Sequence, residues 1–407
     1  MNSQSPHHYN QPFPAFLRSL CCLAMTSLLL MHSVRAEQTA VKKPLLVPDP
    51  PPLEASSYYL LDFESGQTIA AYNADTPLPP ASLTKIMTAY TTFRELADGR
   101  LALDDTVTIS KKAWKTGGSR MFLEPNKPAT VEQLLKGIII QSGNDASVAI
   151  AEHISGNEAT FAQLMNQTAE SLQMNNTHFT NSMGLPSPEH YSSAHDLALL
   201  TSALISEFPE HYHWHSEKEY TYNNIKQRNR NNLLWRDSTV DGVKTGHTEE
   251  AGYCLVASAK REGRRLISVV TGTKSTQARA NANQALLNYG FRFFATSKIH
   301  TAEEVLKQPR IWMGATETLP IGLTEDLNVT IPSRYADKLT SAIEIDENIT
   351  APVEKGQKLG TIKVMLDDNM ITQRPLVALQ AMAEGGLMRR LYDKAFRLVQ
   401  KTTGYPK

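Results

Sequence analysis

Ser82-Leu83-Thr84-Lys85 sets a hydroxyl and an amine three residues apart, and Leu83, Ile86, Met87, Tyr90 and Phe93 recur at helical spacing behind Pro80-Ala81. Positions three apart share a helix face. If burial lowers its pKa, the amine can take the hydroxyl proton, while the free N–H groups of the helix's first turn can stabilise an oxyanion. This is the equipment of nucleophilic acyl transfer. By itself the pattern is weak, since composition alone produces it about once or twice in a chain of this length.

Ser142-Gly143-Asn144 lies between a helix expected to begin at TVEQLLKG and another beginning at Asp145. From such a connection the Ser142 hydroxyl can relay a proton, and the Asn144 amide can hold a substrate backbone, with Gly143 on the same wall. Ser155-Gly156-Asn157 repeats the tripeptide, but Gly and Asn are ordinary helix-ending residues, so this copy reads as a stop. Lys-Thr-Gly also occurs twice. Lys115-Thr116-Gly117 follows the helix-like SKKAW and lacks apolar alternation, so it reads as a loop. Lys244-Thr245-Gly246 leads into a strand pair. On an edge strand Gly246 lets a substrate backbone come close, Lys244 adds positive charge, and Thr245 offers a hydroxyl to a carboxylate.

The elements that must position these groups follow from periodicity. YYLLDF, the turn ESGQ and TIAAY read as a hairpin. Helical patterns occupy residues 82–97, 130–140, 145–154, 158–172 and 194–206, the second opened by a capping box of Thr130 and Gln133. GYCLVASAK and RRLISVVTG read as strands, and ARANANQALLNYGFRFF as a closing helix. The expected sheet is therefore assembled from both ends of this region, with helices between. From about residue 294 short β-rich runs broken by Pro and Gly point to a small all-β domain.

Arg18, the apolar run LCCLAMTSLLLM and Val34-Arg35-Ala36 form a secretion signal, with cleavage expected after Ala36. The run is too short to span a bilayer. Leu20 before Cys21 argues against lipid attachment there. Cleavage removes Arg18 and Arg35 and no acid, so 41 basic residues become 39 against 41 acidic. That balance gives nothing to recruit nucleic acid. Cys254 remains alone, which excludes an internal disulfide. The expected organisation is a signal peptide over 1–36, a Pro-rich arm over 37–56, a catalytic domain over 57–293, a β-rich domain over 294–384 and an amphipathic helix over 385–407.

In that last segment Leu387, Met388, Leu391, Tyr392, Ala395, Leu398 and Val399 fall on one stripe, and Arg389, Arg390, Lys394, Arg397 and Lys401 outnumber Asp393. Such a helix can lie among lipid headgroups, or pack on the β-rich domain or on a partner chain. His211, His213 and His215 alternate as if on one strand face, but no acidic or Cys ligand accompanies them, so a polar surface is the expectation and no metal is assigned. Cys254 is expected to be a small packed hydrophobe.

The order ASLTK, QSGNDA, NRNNLLW, DGVKTGHT, AGYCLVASA and GFRFF resembles the D-alanyl-D-alanine carboxypeptidases, the low-molecular-mass penicillin-binding proteins, over nearly the whole mature chain. The resemblance implies an α/β (α+β) penicillin-binding/β-lactamase-like transpeptidase domain with a mainly antiparallel sheet flanked by helices, then a small all-β domain and a C-terminal amphipathic helix. It implies that Ser82 attacks the carbonyl between the terminal D-alanines of a peptidoglycan stem pentapeptide, with Lys85 as base. β-Lactams would acylate Ser82. The N–H groups of Ser82 and His247 would form the oxyanion hole, Ser142 would pass a proton to the leaving amine, and Asn144 would hold Lys85 and the substrate amide. Lys244, Thr245, Thr248 and Arg279 would face the terminal carboxylate, although SVVTGTKSTQAR departs from the family's usual run before that arginine. No cofactor is implied. Location would be the periplasmic face of the inner membrane, held there by the C-terminal helix.

A class A β-lactamase shares the three motifs but adds a deacylating glutamate after the second, in Glu-x-x-Leu-Asn, which this chain lacks. An endopeptidase acting on cross-links fits the same motifs. A non-catalytic peptidoglycan-binding protein fits less well, because Ser82 and Lys85 are both present.

Overall fold

The structure is a computed structural model that describes residues 46–403; the expected cleavage after Ala36 lies outside the described residues. Its main sheet is antiparallel and five-stranded, in the order Thr68–Tyr72, Ser57–Asp62, Arg264–Thr273, Gly252–Arg261, Val240–Thr248. Strands from both ends of the region meet, as the periodicity predicts. Successive side chains in a strand point to opposite faces. Thus Tyr59, Leu61, Cys254, Val256, Ile267 and Val269 join the core beneath the helical region, while Leu60, Leu255, Ala257, Leu266 and Val270 pack with Leu286 and Leu287 of the closing helix Thr276–Phe293. Cys254 is fully buried.

The helical region contains Thr84–Ala97, Val131–Lys136, Asn144–Ser155, Glu158–Ser171 and Ala194–Glu207. Thr130 and Gln133 form the reciprocal capping box. Gly156, left-handed at φ +75°, ends Asn144–Ser155, and Asn157 caps the next helix, which accounts for the second Ser-Gly-Asn. The expected helix over 130–140 is α-helical only to Lys136; Gly137–Gln141 widen into a π turn that delivers Ser142. A further correction concerns the three histidines. Their segment is not a strand but two short helical turns, Pro209–Tyr212 and His213–Ser216, so the shared face does not form. His211 stacks on Phe93, His213 Nδ1 donates to Glu210 O, and buried His215 donates Nδ1–H to Val243 O at 3.0 Å.

The C-terminal β region has an antiparallel sheet in the order Ile321–Gly322, Asn369–Ala378, Lys358–Leu366, Leu339–Ile345, and a separate pair, Phe294–His300 with Leu327–Pro332. Ile311, Val329, Ile362, Val364 and Leu376 fill its core. Fully buried Asp62 stitches it to the main sheet, accepting from Arg264 Nε at 2.7 Å and Thr296 Oγ1 at 2.6 Å. Removing one partner of such a buried pair costs about 3–5 kcal/mol.

The helix Leu387–Thr403 docks on this region through its only acid. Buried Asp393 accepts from Arg310 Nη2 at 3.1 Å and from the Met313 N–H at 2.6 Å, and Phe396 meets the Trp312 ring. The apolar stripe points elsewhere: Leu387 is 64 % and Met388 81 % exposed, and Leu391, Tyr392, Leu398 and Val399 are also exposed.

Candidate active site

Ser82 sits in the short 3₁₀ turn Ala81–Leu83 that runs into Thr84–Ala97. Ala81 just before it has φ +47°, a left-handed conformation that costs a non-glycine residue on the order of 1 kcal/mol or more. Lys85 Nζ is buried and lies 3.1 Å from Ser82 Oγ, 2.8 Å from Asn144 Oδ1 and 2.7 Å from Met183 O. Two of these partners can only accept. In the neutral amine, whose two N–H groups serve Asn144 and Met183, the lone pair is therefore left for the Ser82 hydroxyl. Burial, reinforced by Arg230 and opposed by Asp145, lowers the Lys85 pKa to about 7. The neutral amine is then far more populated at pH 7 than in an ordinary lysine.

Ser142 is left-handed at φ +65°, and its buried Oγ has no hydrogen-bond partner among the described residues. A buried hydroxyl in that condition is costly unless a bound molecule completes it. Gly143 allows the turn: a Cβ there would stand 3.0 Å from Asp145 Oδ1 and 3.3 Å from the Met121 nitrogen. Asn144 donates its N–H to Ser119 O at 2.7 Å and Nδ2–H to Gly117 O at 2.8 Å. The first Lys-Thr-Gly is a loop only from Thr116: exposed Lys115 closes the helix Lys111–Lys115, and the Gly117 carbonyl of the loop that follows holds Asn144.

Lys244, Thr245 and Gly246 lie on the sheet's edge strand, Val240–Thr248. Gly246 has a second reason to be glycine. A Cβ there would meet Pro80 O at 2.9 Å and Leu83 Cγ at 3.2 Å, forcing the strand off the turn that carries Ser82. Lys244 is buried and donates to Thr245 O; burial first, then Lys85, Arg230 and Arg279, push its pKa well down. Arg279, on the closing helix, donates Nη1–H to Gly246 O at 2.9 Å. His247 packs on Tyr253, and Thr248 Oγ1 accepts the Ala251 N–H.

Ser82, Ser142, Asn144, Thr245, Gly246, His247, Thr248 and Arg279 line one cleft of about 720 Å³, with Lys85 and Lys244 set beneath it. A family profile described as D-alanyl-D-alanine carboxypeptidase matches residues 38–275, over half of the chain. The chain belongs to the D-alanyl-D-alanine carboxypeptidase family. The profile of the penicillin-binding protein 5 C-terminal domain matches residues 294–384. D-alanyl-D-alanine carboxypeptidase DacC of Escherichia coli (strain K12) is 44 % identical over 351 residues, covering 84 % of this chain and 88 % of its own. DacA of the same strain is 41 % identical over 383 residues, covering 91 % and 94 %. Among solved structures, penicillin-binding protein 5 from Haemophilus influenzae superposes with TM-score 0.80 at 40 % identity, over 83 % of this chain and all of that one. Penicillin-binding protein D2 from Listeria monocytogenes in its ampicillin-bound form does so at TM-score 0.55 and 30 % identity, over 60 % of this chain and all of that one.

Several groups at the carboxypeptidase-family cleft escaped sequence reasoning. Arg230 is one. Asn231 points inward, donating to Gly242 O and accepting from the Leu233 N–H, and buried Asn229 accepts the Asn231 N–H. Arg230, between them, lines the cleft. NRN was visible as part of the resemblance, but nothing local told which of its side chains would face the site. Met183 and Gly184 were missed as well, because a backbone carbonyl leaves no mark in composition. Among the described residues lining the cleft none is acidic.

Proposed function

We propose that this family member hydrolyses the terminal D-alanine from peptides ending in D-alanyl-D-alanine, by way of an acyl-enzyme on Ser82. The observation that carries the reading is the contact of Ser82 Oγ with a buried Lys85 whose other two partners are acceptors. Neutral Lys85 takes the Ser82 proton as Oγ attacks the carbonyl carbon, and the oxyanion forms against the N–H groups of Ser82 and His247. Ser142 passes a proton to the departing amine, D-alanine leaves, and water then hydrolyses the ester. Lys244, Thr245 and Thr248 supply hydrogen-bond donors and Arg279 positive charge to the substrate carboxylate, while Asn144 orients Lys85. A β-lactam acylates the same oxygen, and its ring opening leaves no separate amine to depart.

Release of D-alanine from an acylated pentapeptide, beside a cross-linked muropeptide, tests the reaction. Faster cleavage of the free pentapeptide supports it; exclusive cleavage of the cross-link would replace it with endopeptidase activity. Because Lys85 must be neutral to act, and its pKa is about 7, kcat/KM should rise with pH through about 7 and then level. A profile flat from pH 5.5 to 8.5 would remove Lys85 as the titrating base.

The same proposal places the protein outside the cytoplasmic membrane, exported by the segment ending at Ala36 and held at the lipid surface by residues 387–403. Among the described residues no helix is long and apolar enough to cross a membrane. What supports surface binding is the exposed stripe Leu387, Met388, Leu391 and Tyr392 on a helix whose acid is turned into the protein, with Lys394 exposed beside it. A chain ending at Glu384 should keep activity in solution yet stay in the supernatant when vesicles of anionic phospholipid are pelleted. Equal pelleting of both chains would place the anchor elsewhere.

A further inference from the structure

One buried imidazole links the support of the nucleophile to the support of the base. His190 Nδ1 accepts the Thr180 N–H at 3.0 Å, so in the neutral ring the proton is on Nε2, which lies 2.8 Å from Thr84 Oγ1. Thr84 gives its own hydroxyl proton to Ala81 O at 2.8 Å and therefore accepts from the ring. Donor and acceptor alternate without a gap from Thr180 through His190 and Thr84 to Ala81.

Both ends of this chain of bonds bear on the chemistry. Ala81 is the left-handed residue immediately before Ser82. At the other end, residues 180–185 contribute Met183 O, which holds Lys85 Nζ. Asn181 shapes that segment, its Oδ1 accepting the N–H groups of Met183, Gly184 and Leu185 at 3.2, 2.8 and 3.0 Å. Gly184 then presses on Ala81 so closely that a Cβ would stand 1.8 Å from Ala81 O.

We propose that His190 is a positioning residue for acylation, whose neutral ring sets the separation of Ser82 Oγ from Lys85 Nζ by tying the nucleophile's turn to the segment that orients the base. The ring is buried and does not line the cleft, so it acts through Thr84 and Thr180 and not on substrate. Only the neutral form fits, because an imidazolium would aim a second N–H at the Thr180 N–H. Burial first, then His178 and Lys85, hold its pKa near 4, so that form prevails at neutral pH.

This inference rests on Ser82 and Lys85 being nucleophile and base. Acylation by a chromogenic β-lactam, followed by stopped flow and by mass spectrometry of the Ser82 peptide, is compared in the parent, His190→Ala, His190→Gln, Thr84→Val and the Thr84→Val/His190→Ala pair. A small displacement of reacting groups can cost on the order of a hundredfold, so each single loss should slow the acylation step by tens of fold while the dissociation constant before acylation stays within about threefold. His190→Gln, which returns an N–H near the position of Nε2, should recover part of the rate. The double variant should be no slower than the slower single, since both cut the same chain of bonds. Losses that multiply, a loss carried by the dissociation constant, or Thr84→Val acylating as fast as the parent would overturn the proposal. If His190→Ala does not fold, Thr84→Val, which keeps the buried shape, decides alone. A parent unlabelled at Ser82 removes the underlying reading too, whereas a labelled parent with unimpaired Thr84→Val removes this inference only.

Discussion

Ser82→Ala should abolish both D-alanine release and β-lactam labelling, a loss on the order of 10⁴-fold or more in turnover, because no other hydroxyl stands beside a buried amine at this helix start. Lys85→Ala should be nearly as damaging. Without Nζ the Ser82 proton has no acceptor, and Asn144 Oδ1 and Met183 O lose the donor they share. Nucleophile and base act as one unit, so the double variant should be little worse than either single. Tryptic mapping of the penicillin adduct decides the matter: mass added to any peptide lacking Ser82, or ordinary turnover by Ser82→Ala, ends the reading.

The twin tripeptides allow a second large effect to be set beside an internal control. Lys244→Ala should slow acylation by about 10²–10³-fold, the range expected when one preorganised electrostatic group is removed from a water-poor site. Lys244 is buried under the cleft, on the strand that Gly246 allows to lie against the Ser82 turn. Lys115→Ala should stay within a few-fold of the parent. Its side chain is exposed at the end of the helix Lys111–Lys115, and only the backbone of the loop that follows reaches Asn144. Equal damage from the two substitutions would show that the loop acts through its lysine and would undo the distinction between the copies.

That distinction was legible in the residues because it depends on local pattern. Alternation around 244–246 and its absence around 115–117 separate strand from loop, and a three-residue spacing behind an apolar stripe places Ser82 and Lys85 on one helix face. Gly156 likewise declared a helix end through backbone preference alone, whereas Asn157, read as part of the same stop, caps the start of the next helix. The same reasoning failed at residues 211–215, where alternating histidines suggested a strand. There the short helical turns bury His215 against Val243 and stack His211 on Phe93, contacts that local periodicity does not encode.

By itself, then, the sequence determined the order of the motifs, the element each would sit on, the sheet built from both ends of the catalytic region, and an amphipathic last helix. Tertiary structure alone decided what surrounds Lys85. Its partners Asn144 and Met183 lie 59 and 98 residues away, and Thr84 meets His190 across 106. It also decided that Arg230 turns toward the cleft, that the Gly117 carbonyl supports Asn144, and that Asp393 draws one side of the last helix onto the β region. The reason is physical. Spacing within an element is dictated by backbone geometry and can be read from a few adjacent residues, whereas burial and the pairing of polar groups across the fold depend on which surfaces pack together, a property of the whole chain.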